Sequence, residues 1–258
     1  MKPRRPSERT KTSWDHLAGW YDGWVGEEGS EHHRALAIPL ALELLALQRD
    51  EMVLDIGCGQ GALAPAIRTE GGRYTGVDLS RRMVEQARRL HRTGEVFIQG
   101  DATRLSAVGT LGKGSFDAAV FLLSIQNIDP LARALAGAAW ALKEGGRLVI
   151  VMTHPCFTVP RQSGWGWDAN RKLSYRRVDS YLKPLAVPLR PLRGKPPVLS
   201  FHRPLEEYIA TLAREGFVID ALREVATTGA TGVLARAARN PQIPTFLGLR
   251  ARLLAPAK

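Results

Sequence analysis

The chain has 258 residues, 45% hydrophobic and 24% charged, which excludes a disordered protein and allows a substantial core. Its two cysteines, Cys58 and Cys156, exclude a disulfide framework and a cysteine metal site, and we expect no metal. No apolar run approaches the roughly 20 residues of a membrane helix. The first residues lack the apolar core of a signal peptide, so we expect a cytoplasmic protein without membrane segments.

The net charge of +11 is concentrated in two segments. Residues 1–11 carry +4 and residues 161–195 carry +7, so the remainder is neutral overall. The second segment either attracts an anionic partner or forms an ordinary solvated surface, and both interpretations stay open.

The first part of the chain alternates short apolar runs with amphipathic stretches, a pattern typical of α/β proteins with a parallel sheet. A helix is predicted over 31–48, with Pro39 at its start or at a kink. His32 and His33 begin this helix, and we expect both to be exposed. Strands are then predicted at 52–56, 73–78, 95–99, 116–123 and 146–152, and helices at 62–69, 80–91 and 131–142.

After Met152 the alternation stops for about fifty residues. Residues 154–204 are rich in proline and carry two tryptophans between glycines, and we interpret this stretch as a functional lid. Regular structure resumes with a helix at 205–215, for which Gly216 is a suitable end. Two further strands are predicted at 217–225 and 245–252.

The strongest local pattern is VLDIGCGQGALAPAI at residues 53–67, where an apolar strand ends in an acidic residue and three glycines alternate before a helix. A dinucleotide-binding loop has a different glycine spacing, G-x-G-x-x-G, so a nicotinamide dehydrogenase is disfavoured. The acidic residue, Asp55, suits a ligand that bears an ammonium group. Asp78, at the end of the second strand, can accept the hydroxyls of a ribose. Asp101, after the third strand, can accept the exocyclic amine of adenine.

The segments DIGCGQG, GVDLS, GDA and LKEGGRLVIVM together resemble the successive motifs of class I S-adenosylmethionine-dependent methyltransferases. The likeness covers residues 31–153 and resumes near the C-terminus. It implies an α/β, Rossmann-like seven-stranded sheet of order 3-2-1-4-5-7-6 with strand 7 antiparallel. Helices would cover both faces, and the lid would be inserted after strand 5.

The resemblance also implies that S-adenosylmethionine is the cofactor and S-adenosylhomocysteine its product. The cofactor contacts then fall on Tyr21, Asp55, Gly57, Cys58, Gly59, Gly61, Asp78, Leu79, Asp101, Ala102 and Leu122. We interpret Cys58 as a small filler rather than a nucleophile. A disulfide between Cys58 and Cys156 is not expected, because strands one and five end about 10 Å apart.

We expect residues 1–30 to form a basic tail and an aromatic N-terminal gate. The resemblance implies that residues 31–258 form the methyltransferase domain, with the lid inserted at 154–204. In the family, a pair like Tyr21-Asp22 belongs to a segment that closes over the methionine end of the cofactor. We therefore interpret Trp20 and Tyr21 as part of a gate, with ordinary packing of an N-terminal helix as the alternative.

Strand four ends in Ser124-Ile125-Gln126-Asn127 and lacks the Asn/Asp-Pro-Pro-aromatic sequence of enzymes that methylate base amines. Gln126 and Asn127 are therefore predicted to bind the acceptor by amide hydrogen bonds. His154 follows strand five and is either a general base or part of a His-Pro turn that steers the lid. His202, at the return of the lid, is a second candidate on the acceptor side.

The lid interleaves basic and aromatic side chains, including Arg161, Trp165 and Trp167. They would cover an aromatic or carboxylate-bearing small molecule, or, in the alternative, single-stranded RNA. The lid is short and no separate RNA-binding domain is apparent, so the sequence favours a small-molecule acceptor. A tRNA-modifying methyltransferase and a non-catalytic S-adenosylmethionine-binding module remain as alternatives.

Overall fold

The structure is a computed structural model that describes residues 14–15, 30–31, 33–189, 198–227 and 240–255. These residues form one seven-stranded sheet and two separate β-hairpins. The strands are β1 Met52–Ile56, β2 Arg73–Asp78, β3 Val96–Gln99, β4 Phe116–Leu122, β5 Leu142–Thr153, β6 Ser163–Asp168, β7 Leu173–Val178, β8 Leu185–Leu189, β9 Val198–His202, β10 Phe217–Val225 and β11 Phe246–Leu253. The α-helices are α1 Ile38–Leu45, α2 Ala64–Thr69, α3 Arg81–Leu90, α4 Leu131–Ala141 and α5 Leu205–Arg214.

The sheet has the order β3-β2-β1-β4-β5-β11-β10, and β11 is antiparallel to both of its neighbours. Numbered within the sheet alone, this is 3-2-1-4-5-7-6, which confirms the predicted Rossmann-like topology. β1 pairs in parallel with both β2 and β4, with Asp55 opposite Gly76 and Val120. Because parallel strands end at the same edge, the residues that follow β1, β2 and β4 lie side by side.

Helices cover both faces of the sheet, and β5 shows why. Its residues Leu148, Ile150 and Met152 pack in the cluster that contains α4 and α5. Val149 and Val151 alternate with them and pack with α1, α2 and α3 on the other face. A strand buried on both faces needs apolar side chains at every position, which explains its continuous apolar run. In the described part of the chain, no helix is long and apolar enough to cross a membrane.

The segment predicted as one helix over 31–48 begins instead with a π-helical turn, His33–Ala37. An α-helix follows from Ile38, with Pro39 in its first turn, and ends at Leu45, so the helix is shorter than predicted. The expectation that His33 is exposed was wrong: only 6% of its surface is accessible. The π-helical turn brings its ring to the end of β1, where Nδ1 lies 2.8 Å from the hydroxyl of Ser30. His32 lies outside the described residues.

The segment 154–204 contains regular structure that the sequence analysis did not predict. β6 pairs with β7 and β8 with β9, in two antiparallel hairpins. Residues along β6 and β7 are half-buried or exposed, so they lack the apolar alternation that marks a core strand. The helix expected at 205–215 is confirmed as α5, and Gly216 follows it with a φ of 82°.

Ser80 caps helix α3 and gives a first test of the fold. Its Oγ accepts the N–H of Met83 at 3.2 Å and its hydroxyl donates to Asp15 Oδ1 at 2.6 Å. We expect Ser80→Ala to lower the free energy of unfolding by about 1–2 kcal/mol, because the N–H loses its acceptor. Denaturation in urea measures the loss. The exposed Ser106, changed to alanine, is the control, with an expected effect within about 0.5 kcal/mol. Equal stability of both variants would contradict the cap.

Candidate functional site

The glycine loop, residues 57–61, turns from the end of β1 over the end of β2. The carbonyl of Val77 accepts the N–H of Gly57 at 2.7 Å and the N–H of Cys58 at 3.1 Å. Gly57 has a φ of 75°, and a Cβ added there would lie 2.7 Å from Cβ of Ser124. Only glycine combines this backbone conformation with such a close approach. The loop is therefore held tightly between the ends of β2 and β4.

Asp78 joins the loop to the next helix. Its Oδ2 accepts the N–H of Gly59 at 2.9 Å, and its Oδ1 accepts the N–H of Ser80 at 2.8 Å. Burial raises the pKa of Asp78, while these two backbone hydrogen bonds oppose the shift. Each carboxylate oxygen can accept a second hydrogen bond. The predicted ribose ligand would therefore find an oriented carboxylate with acceptor capacity left.

Asp55 is more deeply buried, with 1% of its surface accessible. Its Oδ2 accepts the hydroxyl of Tyr74 at 2.8 Å, whereas Oδ1 has no hydrogen-bond partner among the described residues. Burial raises the pKa of Asp55 to about 7; the hydrogen bond from Tyr74 opposes the shift and the charge of Asp78 adds to it. Such a carboxylate is ready to receive a cation, because a cation would satisfy Oδ1 and favour the ionised form.

A small, partly open cavity lies beside the glycine loop. The described residues that line it are His33, Asp55, Gly57, Cys58, Gln60, Ala62, Leu63 and Leu122. The structure thus brings four of the predicted cofactor contacts together, at the ends of β1 and β4. The sequence analysis missed His33 and Gln60. Gln60 lies within the glycine motif, which was a usable signal, whereas nothing local distinguished His33.

The residues predicted to contact the adenine end are separate from this cavity. Oδ1 of Asp101 accepts the backbone N–H of Thr103 at 2.9 Å and its hydroxyl at 2.7 Å. Asp101 thereby caps a short 3-10 helix, Ala102–Ala107. The carbonyl of Leu79 accepts the side-chain amide of Gln99 at 3.3 Å. These contacts leave the adenine assignments of Leu79, Asp101 and Ala102 as predictions.

Both cysteines are free thiols, in agreement with the expectation that no disulfide joins them. Burial raises the pKa of the Cys58 thiol well above its ordinary value, so the thiol stays neutral and suits the filler interpretation. Among the described residues, no group of histidine, cysteine or acidic side chains could hold a metal ion. Trp20 and Tyr21, the predicted gate, lie outside the described residues.

His154 has both ring nitrogens in hydrogen bonds. Nε2 lies 2.7 Å from Oε1 of Glu224, and Nδ1 accepts the N–H of Cys156 at 3.2 Å. The residue is 3% exposed and is absent from the described lining of the cavity. These contacts favour the His-Pro turn over the general base, because neither nitrogen is presented to a ligand.

The predicted acceptor residues divide into two groups. Asn127 donates its side-chain N–H to the carbonyl of Leu199 at 3.0 Å, and Nε2 of His202 lies 2.6 Å from the carbonyl of Tyr181. The contact of His202 lies within the segment 154–204, and the contact of Asn127 holds this segment to the residues that follow β4. The other described acceptor residues are not fully enclosed: Gln126 and Trp165 are half-buried, and Trp167 and Arg161 are exposed. Oε1 of Gln126 is buried and has no hydrogen-bond partner among the described residues.

Residues 54–150 match the family model described as a methyltransferase domain. A demethylmenaquinone methyltransferase of Tropheryma whipplei is 35% identical over 118 residues, 45% of this chain and 47% of that protein. A ubiquinone biosynthesis O-methyltransferase of Xylella fastidiosa is 30% identical over 142 residues, 53% of this chain and 56% of that protein. The chain thus spans about half the length of these curated relatives. The solved structure of an S-adenosylmethionine-dependent methyltransferase from Mesorhizobium loti matches with a TM-score of 0.66 and 27% identity, covering 88% of this chain and 100% of that one.

The raised pKa of Asp55 predicts a pH dependence of ligand binding. Below a pH of about 7 the free protein holds Asp55 protonated, so a ligand ammonium has to displace that proton. Between pH 8 and pH 6, we expect the affinity for S-adenosylhomocysteine to fall about tenfold more in the wild type than in Asp55→Asn. Titration calorimetry at both values measures this difference. The ligand and the buffers are the same for both proteins, and identical pH profiles would contradict the prediction.

The hydrogen bond from Asn127 to Leu199 predicts how the 154–204 segment is held. Removing the donor with Asn127→Ala leaves the carbonyl of Leu199 without this partner and costs about 1 kcal/mol. We expect amide hydrogen exchange in β9 to become about fivefold faster. Exchange in β7, which lacks this contact, is the internal control. Unchanged protection of β9 would show that the bond does not hold the segment.

Proposed function

Because the chain belongs to the class I S-adenosylmethionine-dependent methyltransferases, we propose that it transfers a methyl group to a small-molecule acceptor. When bound, S-adenosylmethionine supplies a methyl carbon on a positively charged sulfur. The residues of the cavity would hold the cofactor for transfer of that carbon to an oxygen, nitrogen or carbon of the acceptor, which would leave S-adenosylhomocysteine as the second product. A proton carried by that atom passes to water or to a base. The chain contributes mainly by positioning the two reactants in line.

One observation carries this proposal: Oδ1 of Asp55 is buried beside the glycine loop, at the edge of the cavity, and has no hydrogen-bond partner in the described part of the chain. A buried carboxylate oxygen without a partner costs free energy that a cationic ligand removes. The ammonium group of the cofactor's methionine end is such a cation. The residues present therefore fit S-adenosylmethionine.

The other assignments follow the order of the strands. Asp78, already oriented by Gly59 and Ser80, would accept the ribose hydroxyls. Asp101, Leu79 and Ala102 would contact the adenine, and Leu122, at the end of β4, borders the methionine end of the cavity. Trp20 and Tyr21 would close over that end, as the resemblance implies.

On the acceptor side, we propose that the segment 154–204 is a lid. The guanidinium of Arg176 lies 5.4 Å from the centre of the Trp165 ring, so a cation and an aromatic surface stand together in its first hairpin. That pairing supports an aromatic or anionic acceptor, with Gln126, Arg161 and Trp167 as further contacts. One matched relative is named a demethylmenaquinone methyltransferase and another a ubiquinone biosynthesis O-methyltransferase, which favours a phenolic or quinol acceptor. A cytoplasmic location is part of this proposal.

Calorimetry with S-adenosylmethionine and S-adenosylhomocysteine, followed by transfer of a labelled methyl group to phenols and quinols, tests the proposal. We expect micromolar binding and release of S-adenosylhomocysteine in the presence of an acceptor. Asp78→Ala should weaken binding by roughly 10- to 100-fold, because hydrogen bonds to a charged group are lost. Its circular dichroism spectrum controls for folding.

Absence of cofactor binding in the wild type would refute the proposal. Binding with no transfer to any acceptor would favour the non-catalytic module. Binding of bulk tRNA with a steep salt dependence, together with its methylation, would favour the tRNA-modifying alternative.

A further inference from the structure

His33 lies in the cavity beside the glycine loop, although the sequence predicted it at the surface. It is 6% exposed and lines the same space as Asp55. The hydroxyl of Ser30 lies 2.8 Å from Nδ1 and restricts the rotation of the ring. The π-helical turn that carries His33 is a local irregularity of a kind often found at functional sites.

The proposed ligand carries a carboxylate that Asp55, itself an acidic side chain, cannot bind. The methionine end of S-adenosylmethionine carries an ammonium and a carboxylate on the same carbon atom. If Asp55 holds the ammonium, the ligand's carboxylate lies in the same small cavity, close to the buried carboxylate of Asp55. A carboxylate buried there without a donor would be strongly unfavourable. A hydrogen-bond donor, preferably a cationic one, is therefore required nearby.

Much of the glycine loop is already committed elsewhere. The N–H groups of Gly57 and Cys58 donate to the carbonyl of Val77. The N–H of Gly59 donates to Asp78, and the N–H of Gly61 donates to the carbonyl of Cys58. The neutral thiol of Cys58 points to the carbonyl of Gly59 at 3.6 Å and is a weak donor. These groups do not supply the donor.

We propose that His33 binds the α-carboxylate of the methyl donor and that Ser30 orients its imidazole. Among the described residues that line the cavity, His33 is the one whose side chain can carry a positive charge. With Asp55 it matches both charges of an amino-acid zwitterion. This inference rests on the proposed function and names the residue that would recognise the donor's carboxylate.

Two ligands separate this role from a merely structural one. S-Adenosylhomocysteine carries both charged groups, whereas its decarboxylated analogue keeps the ammonium and lacks the carboxylate. We expect the wild type to bind S-adenosylhomocysteine more tightly than the analogue. His33→Ala should lower the affinity for S-adenosylhomocysteine at least about tenfold. Affinity for the analogue should change less than about twofold, since the lost contact is to the missing group. Calorimetry measures all four dissociation constants.

Two further variants keep the assignment testable if the alanine variant does not fold. His33→Asn retains an N–H donor and should recover part of the preference, and Ser30→Ala should lose a smaller part than His33→Ala. Glu31→Gln changes a charge in the same segment at a residue outside the described cavity lining and should keep the full preference. Thermal denaturation identifies variants that are misfolded.

Equal weakening of both ligands by His33→Ala would assign the residue a structural role and overturn the inference. Unchanged affinity for both ligands would overturn it as well, whatever the variant's rate of methyl transfer. In either case the wild type still binds the cofactor and the proposed function stands. Failure of the wild type to bind S-adenosylhomocysteine would instead refute the proposed function.

Discussion

The glycine loop is anchored to the end of β2 by hydrogen bonds from its backbone to Val77 and Asp78, and the site depends on this anchor. The anchor is possible because β1 and β2 pair in parallel and end at the same edge. The chain leaving β1 must turn sharply beside Ser124. A Cβ added at position 57 would lie 2.7 Å from the Cβ of Ser124, so this position requires glycine. The same turn leaves Asp55 on one side of the loop and Asp78 on the other.

The buried carboxylate of Asp55 and the half-buried carboxylate of Asp78 work against the stability of the free protein. Burial raises the pKa of both, and the charge of Asp78 raises that of Asp55 further. Between its ordinary value and about 7, the folded state therefore holds a proton on Asp55 that the unfolded state has lost. The contribution of Asp55 to stability consequently falls as pH rises through that range. A cationic ligand would offset the free-energy cost of ionising Asp55. The arrangement therefore lowers the stability of the free protein and favours binding of a cation.

The segment 154–204 is attached to the sheet where β4 ends. Asn127 donates to Leu199, and Arg203 donates to the carbonyl of Ile128 at 2.8 Å and to Asp129 at 2.9 Å. The ends of β1 and β4 thus line the cavity, and the residues that follow β4 hold this segment. A small-molecule acceptor held by the segment would lie next to the donor. The side chains of β6 and β7 are half-buried or exposed, so changes there would leave the core intact.

The order of the sheet followed from the resemblance to the methyltransferase family, whereas local patterns were enough to predict β1, β2 and the glycine loop. Each of these three depends on residues adjacent in sequence: an apolar run, or a glycine that permits positive φ. The roles of His33, Asn127 and His154 were decided only by tertiary structure. The last two have partners 72 and 70 residues away, Leu199 and Glu224, and no local pattern encodes a contact of that separation. His33 lies in a π-helical turn and lines the cavity, and the apolar periodicity of the sequence does not predict a π-helical turn.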